Sequence, residues 1–336
     1  MTTTAERDDA GMAGVLMVNT GTPDAPRAPD VRRFLRRFLA DPRVVELPRW
    51  LWLPLLNGVI LPLRGARSAR NYNRIWRNEG SPLAVYSAQL REALEMQLEQ
   101  LRGGPVAVES AFLYSRPFVA EALQRLRQAG AQRIVVLPMF PQNSGATTGA
   151  VYDQIGVAWR DWRALPELTL LPHYHADAGY IGALADSVRE HWQQHGRSEL
   201  LLMSFHGIPE RYVQQGDPYA AQCRVTAEQL AARLELRADD WSLSFQSRFG
   251  KARWLEPATD RVLAQLPKRG TRSVAVICPG FAVDCLETLE EIAIGGRETF
   301  LHAGGRQFHY IPALNARADH ARALASLVLR SLAGAH

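Results

Sequence analysis

The sequence predicts an α/β protein of two similar doubly wound halves, each a four-stranded parallel sheet flanked by helices. Three observations predict it. The 336 residues suffice for two domains of roughly 150 residues each. Short apolar runs alternate with helical patterns along the chain, as they do where crossover helices link parallel strands. The halves also echo each other. A shift of 140 residues places Leu123 on Leu263, Leu126 on Leu266, Gly130 on Gly270, Ile134 on Val274 and Val136 on Val276, and each copy reads helix, glycine stop, apolar strand.

Strands are expected at 14–19, 106–114, 133–140 and 168–173, then at 199–205, 241–247, 273–278 and 307–312. Helical patterns fill the intervals at 85–101, 117–129, 178–195, 218–234 and 257–266. In the first of these, Leu90, Leu94, Leu98 and Leu101 keep the spacing of one buried face. A last helix, 316–332, is expected to pack back on the body of the protein. The division that follows is 10–165 with 314–333 as one half and 166–313 as the other.

Composition narrows the function. Apolar residues make up 47% of the chain, which excludes wholesale disorder. Three cysteines cannot all pair, so no disulfide framework is expected and a reducing compartment is. With 39 Lys and Arg against 34 Asp and Glu, the net charge of +5 tolerates an acidic ligand or an anionic surface. No basic block marks a nucleic-acid partner. Residues 1–9 are polar and lack the pattern of a signal peptide. The greasiest stretch, Trp50–Leu63, contains Pro54 and Pro62 and is too short and too broken to span a bilayer. The expectation is a cytoplasmic protein, with peripheral contact at the inner face of a membrane as its extension.

In open parallel sheets, ligands bind beyond the carboxyl ends of the strands. No GxGxxG and no GxxxxGK[ST] occurs there, which weakens dinucleotide and P-loop readings. His206 stands directly after the apolar run 200–203 and before Gly207 and Pro209. An isolated turn histidine is more often a backbone hydrogen-bond partner, but at a strand end its imidazole can face a cleft and titrate near neutral pH. Asp284, Glu287 and Glu291 follow at i, i+3 and i+7, so an α-helix would put three carboxylates on one face. A solvated acidic face is the commonest fate of such a run, yet a line of oxygen ligands also suits a divalent cation in transit. The N-terminal half adds Phe34, Phe38, Trp50, Trp52, Tyr72, Trp76 and Tyr86, with Arg64, Arg67, Arg70 and Arg74. Most such residues serve a core or a helix surface. A large flat acidic ligand would use the same mixture, apolar walls for a ring and guanidinium groups for its carboxylates.

Together these segments resemble ferrochelatase, the terminal enzyme of haem synthesis. The resemblance rests on Ser204-Phe205-His206-Gly207-Ile208-Pro209, on Gln246-Ser247-Arg248-Phe249-Gly250 with Trp254-Leu255, and on Cys278-Pro279-Gly280-Phe281 leading into Asp284–Glu291. Tyr72 with 80–83 (GSPL) and 142–149 (QNSGATTG) support it. It implies two Rossmann-like, chelatase-type domains with the active-site cleft between them. It also implies insertion of Fe²⁺, as substrate, into protoporphyrin IX without a redox cofactor. The family's histidine falls on His206 and its key glutamate on Glu287. The acidic row, Asp284 to Glu291, would handle the metal with them. The porphyrin-binding positions fall on Thr20, Arg64, Tyr72, Ser81, Tyr114, Phe140 and Trp254.

Some positions depart from family variants. Cys285 replaces the second histidine of animal enzymes, and Leu113 replaces an arginine. Gly145 occupies one ligand position of the [2Fe–2S] cluster that many members carry, so no cluster is expected. Thr20 stands where the coproporphyrin-using branch tends to have tyrosine, which favours protoporphyrin. The oligomeric state is left open, with a monomer favoured. Rival readings are a cobaltochelatase of the same fold, a non-catalytic haem or porphyrin carrier, and a plain nucleotide-binding α/β protein. A carrier has no use for a carboxylate row facing the histidine.

Overall fold

Eight strands form where the apolar runs predict them: β1 (Ala13–Asn19), β2 (Val106–Phe112), β3 (Arg133–Pro138), β4 (Glu167–Leu170), β5 (Leu200–His206), β6 (Trp241–Gln246), β7 (Ser273–Ile277) and β8 (Gln307–Ile311). The computed structural model describes residues 12–102, 105–248, 250 and 252–334. Residues 10 and 11 of the expected first half and Phe249 of the 246–250 turn lie outside them. The strands make two parallel sheets of the same topology, β2-β1-β3-β4 and β6-β5-β7-β8. Every residue of β1 is buried, as are Leu201–Phe205 of β5. A parallel strand covered on both faces reads as a continuous apolar run, which is why these two stand out in the sequence. The internal echo holds at the level of structure: Gly130 and Gly270 both adopt positive φ, 82° and 99°, ahead of β3 and β7.

The helices are α1 (Ala28–Ala40), α2 (Arg49–Leu55), α3 (Leu61–Ile75), α4 (Pro82–Arg102), α5 (Val119–Gln128), α6 (Thr148–Ala158), α7 (Ala178–His195), α8 (Glu210–Gln214), α9 (Tyr219–Arg233), α10 (Thr259–Gln265), α11 (Arg297–His302) and α12 (Ala318–Ala333). Two π-helical segments join them, Leu56–Ile60 between α2 and α3 and Glu287–Gly296 before α11. In α4, Leu90, Leu94 and Leu98 are fully buried. Leu101 departs from that face: it is half exposed, in the last turn of the helix.

The halves differ in what links their first two strands. Residues 207–240 join β5 to β6 through α8 and α9, whereas 20–105 join β1 to β2 and carry α1 to α4. That longer connection forms a lip over the strand ends. One core cluster runs through both sheets, from Val15 and Leu94 through Tyr180 and Met203 to Leu324 and Val328. Helix α12 packs on α4, β3 and α7.

Candidate active site

The cleft beyond the strand ends has two neighbouring compartments. An inner one of about 340 Å³ is lined by Thr20 after β1, Tyr114 after β2, Phe140 after β3 and His206 at the end of β5. Tyr72, Ser81 and Arg64 reach it from the lip, and Trp254 closes it from the second half. An outer one of about 880 Å³ is lined by Arg64, Arg67, Arg248 and the carboxylates of Glu287, Glu290 and Glu291. Both compartments have Arg64, Ser247, Trp254 and Glu287 in their walls. All seven expected ring-binding residues therefore meet at the inner space with His206 and Glu287.

His206 is held in a defined tautomer. Its Nδ1 lies 2.7 Å from the Gly207 carbonyl, and a carbonyl only accepts, so Nδ1 carries a proton and the lone pair of the neutral ring is on Nε2. Glu287 and Glu291 stand on the π-helix Glu287–Gly296. Its i→i+5 hydrogen bonds widen the turn, so residues four and five apart line up rather than three and four. Burial raises the Glu291 carboxyl above the ordinary glutamate range, opposed by two hydrogen bonds from Ser247 and by His206.

Asp284 does not join this row. The expected α-helical face fails because the π-helix begins after it, at Glu287. Its side chain is buried, with Oδ1 accepting from Tyr310 Oη at 2.5 Å and Thr288 Oγ1 at 2.8 Å, and Oδ2 accepting from Asn315 Nδ2 at 2.8 Å. It ties the approach to the π-helix to β8 and to the loop before α12.

Burial keeps two neighbouring groups neutral. Burial pushes the Cys285 thiol well up, with Glu287 adding to it, so it stays protonated. Burial and the nearby Glu287 also raise the Tyr72 hydroxyl. Tyr114 donates to Asp41 Oδ2 at 2.8 Å. Arg64 is lowered by burial and by Arg67 but remains a cation.

A family model for ferrochelatase matches residues 12–332. The chain belongs to the ferrochelatase family. The ferrochelatase of Thioalkalivibrio sulfidiphilus (strain HL-EbGR7) is 53% identical over 321 residues, covering 96% of this chain and 87% of the relative. That of Aeromonas hydrophila subsp. hydrophila is 52% identical over 320 residues, covering 95% and 98%. Among solved structures, the sirohydrochlorin chelatase SirB from Bacillus subtilis subspecies spizizenii, in complex with cobalt, aligns over 96% of this chain and 97% of its own. The TM-score is 0.55 at 10% identity, a likeness of fold alone.

Against the ferrochelatase resemblance, three features of the site are new. Glu290 lines the outer compartment and accepts from Arg74 Nη1 at 3.0 Å and Asn71 Nδ2 at 3.1 Å. Arg74, expected among the ligand-binding arginines, is thus engaged by Glu290 and Glu298. Ser247 grips Glu291. Only the Glu290-Glu291 doublet signalled the first of these in the sequence, and nothing in local periodicity signalled the others.

Proposed function

We propose that this chain inserts ferrous iron into protoporphyrin IX to give protohaem, with release of two protons. The observation that carries this reading is the shared inner compartment. It sets the His206 ring, held through Nδ1, and the Glu287 side chain among the aromatic walls of Tyr114, Phe140 and Trp254.

Metal insertion requires two pyrrole N–H groups to lose their protons and the cation to lose its water. His206 Nε2 serves as a proton acceptor or a nitrogen ligand for the metal. Glu287 takes a proton or holds the cation, and Glu291 and Glu290 extend the oxygen donors into the outer compartment. Thr20, Tyr72, Ser81, Tyr114, Phe140 and Trp254 hold the ring, and Arg64 meets a propionate. Asp284 is assigned a structural part, since its oxygens are already taken.

No cofactor is proposed. A [2Fe–2S] cluster needs four ligands, usually thiolates. This chain has three cysteines, Cys223 in α9, Cys278 after β7 and Cys285 before the π-helix, all buried with thiols pushed up by burial. These residues do not fit a cluster.

Among the described residues no helix is long and apolar enough to cross a membrane. We propose peripheral contact through the lip, where Trp50 is 78% and Leu63 72% exposed. Trp52, in the same apolar stretch, takes no part: it is buried, and its Nε1 donates to the Leu39 carbonyl at 2.7 Å. We keep the division into 10–165 with 314–333 and 166–313, supported by the packing of α12 on α4 and β3.

An anaerobic assay with Fe²⁺ and protoporphyrin IX tests the function, read as loss of porphyrin fluorescence. Turnover is expected. Stoichiometric binding without turnover would make the protein a porphyrin carrier.

A further inference from the structure

We propose that Ser247 is a positioning residue for Glu291, and that the turn after β6 thereby sets how the carboxylate row takes up a divalent cation. The proposal rests on the functional reading above and gives a role to a residue that the sequence showed only as part of the 246–250 motif.

Ser247 is one of three non-glycine residues with positive φ among those described, at 64°. Side chains enter this region at a cost, and such strain gathers at functional sites. Here the conformation brings two donors of one residue onto one carboxylate. The Ser247 N–H reaches Glu291 Oε1 at 2.7 Å, and Ser247 Oγ reaches Oε2 at 2.5 Å. Each carboxylate oxygen keeps a further lone pair for a cation, so the grip aims the group without consuming it.

The preceding residue completes the arrangement. Gln246 Nε2 donates to the Glu287 carbonyl at 2.8 Å, and its Oε1 accepts from Ser204 Oγ at 2.8 Å. The Gln246 carbonyl accepts from Gly207 N–H, next to His206. Two consecutive residues therefore touch the strand end that carries the imidazole, the backbone of Glu287 and the side chain of Glu291. Ser247 itself stands in the walls of both compartments. A carboxylate pre-aimed in this way loses less freedom when a cation arrives.

Ser247→Gly is the decisive variant. Glycine accepts the backbone conformation and removes Oγ, so thermal stability should stay level or rise. In the porphyrin-free protein, Co²⁺ affinity measured by calorimetry is expected to fall about 10-fold, the low end for losing a partner of a metal-binding group. In turnover, KM for Fe²⁺ should rise by a similar factor while KM for porphyrin holds. Combined with Glu291→Gln, the serine change should add nothing to the loss. Wild-type Co²⁺ affinity in Ser247→Gly, independent losses in the double variant, or no Co²⁺ uptake by the unaltered protein would each overturn the proposal. The calorimetric reading needs no turnover, so a failure of iron insertion would instead count against the functional reading.

Discussion

The Gly207 amide donates to the Gln246 carbonyl at 2.7 Å, and a Cβ placed on Gly207 would stand 2.8 Å from that same oxygen. The ends of β5 and β6 are thus in direct backbone contact beside His206, and backbone yields less readily than a side chain. Gly207→Ala is expected to destabilise the fold by about 1–3 kcal/mol, the usual range for overpacking. Turnover should fall further than stability alone explains, because His206 would be displaced. Urea unfolding beside the iron-insertion assay reads both, and wild-type values in both would mean that the strand ends have room to part.

Loss of the imidazole should separate chemistry from folding. His206→Ala is expected to abolish turnover at an unchanged melting temperature. Glu287→Gln should cost at least roughly 10²-fold in turnover, the low end for a positioned acid–base group. Porphyrin affinity should hold in both, since the ring meets aromatic walls. Should Glu287→Gln weaken porphyrin binding as much as turnover, the residue holds the ring rather than the proton.

Asp284 gives the opposite pattern. Tyr310, Thr288 and Asn315 all donate to it in a buried setting. Asp284→Ala leaves these donors without their partner and is expected to cost about 1–3 kcal/mol or more. Stability and turnover should fall together, and a turnover defect at wild-type stability would return Asp284 to the metal row.

A pH dependence comes from His320 in α12. It is fully buried, Nδ1 donates to the Asn315 carbonyl at 2.8 Å, and Nε2 has no partner. Burial lowers it to about 4, against an ordinary 6.5. The unfolded chain therefore binds a proton below about pH 6.5 that the folded one refuses until about pH 4. Its contribution is complete above pH 6.5 and is lost as pH falls towards 4, by roughly 3 kcal/mol in total. Denaturant unfolding across this window should show the slope, and His320→Phe should reduce it without removing it, because burial lowers His175 and His191 to about 4 as well. An unchanged slope in that variant would place the acid sensitivity elsewhere.

For the membrane, porphyrin-free protein is expected to sediment with anionic vesicles at low salt and to be released at high salt. Each arginine near such a surface contributes about 1 kcal/mol. Arg32, Arg33, Arg36 and Arg37 are exposed on α1, whose apolar face with Phe34 and Leu39 is docked on the protein. Trp50→Glu should abolish binding without altering turnover in detergent. Equal sedimentation of that variant would remove the lip from the interaction.

What could be read in the sequence depended on the range of the interaction. Val15 and Leu202 lie in strands covered on both faces, so their runs carried the sheets, and His206 followed as a strand end. Asp284 was misplaced because i, i+3, i+7 spacing assumes α-helical geometry, and the wider turn of a π-helix leaves no periodic mark in ten residues. Trp50 and Trp52 could not be told apart in a segment interrupted by proline. Arg74 pairs with a glutamate more than two hundred positions away, a contact that no local pattern encodes.

The packing of α12 has a consequence for how the protein is made. Residues 318–333 complete a layer against α4 and β3, elements the ribosome finished long before. The N-terminal sheet therefore waits with part of one face, beside α4, uncovered while the C-terminal half is synthesised. Its surface is exposed to chaperones and to aggregation throughout that interval. The half that emerges first is, by this route, among the last to be complete.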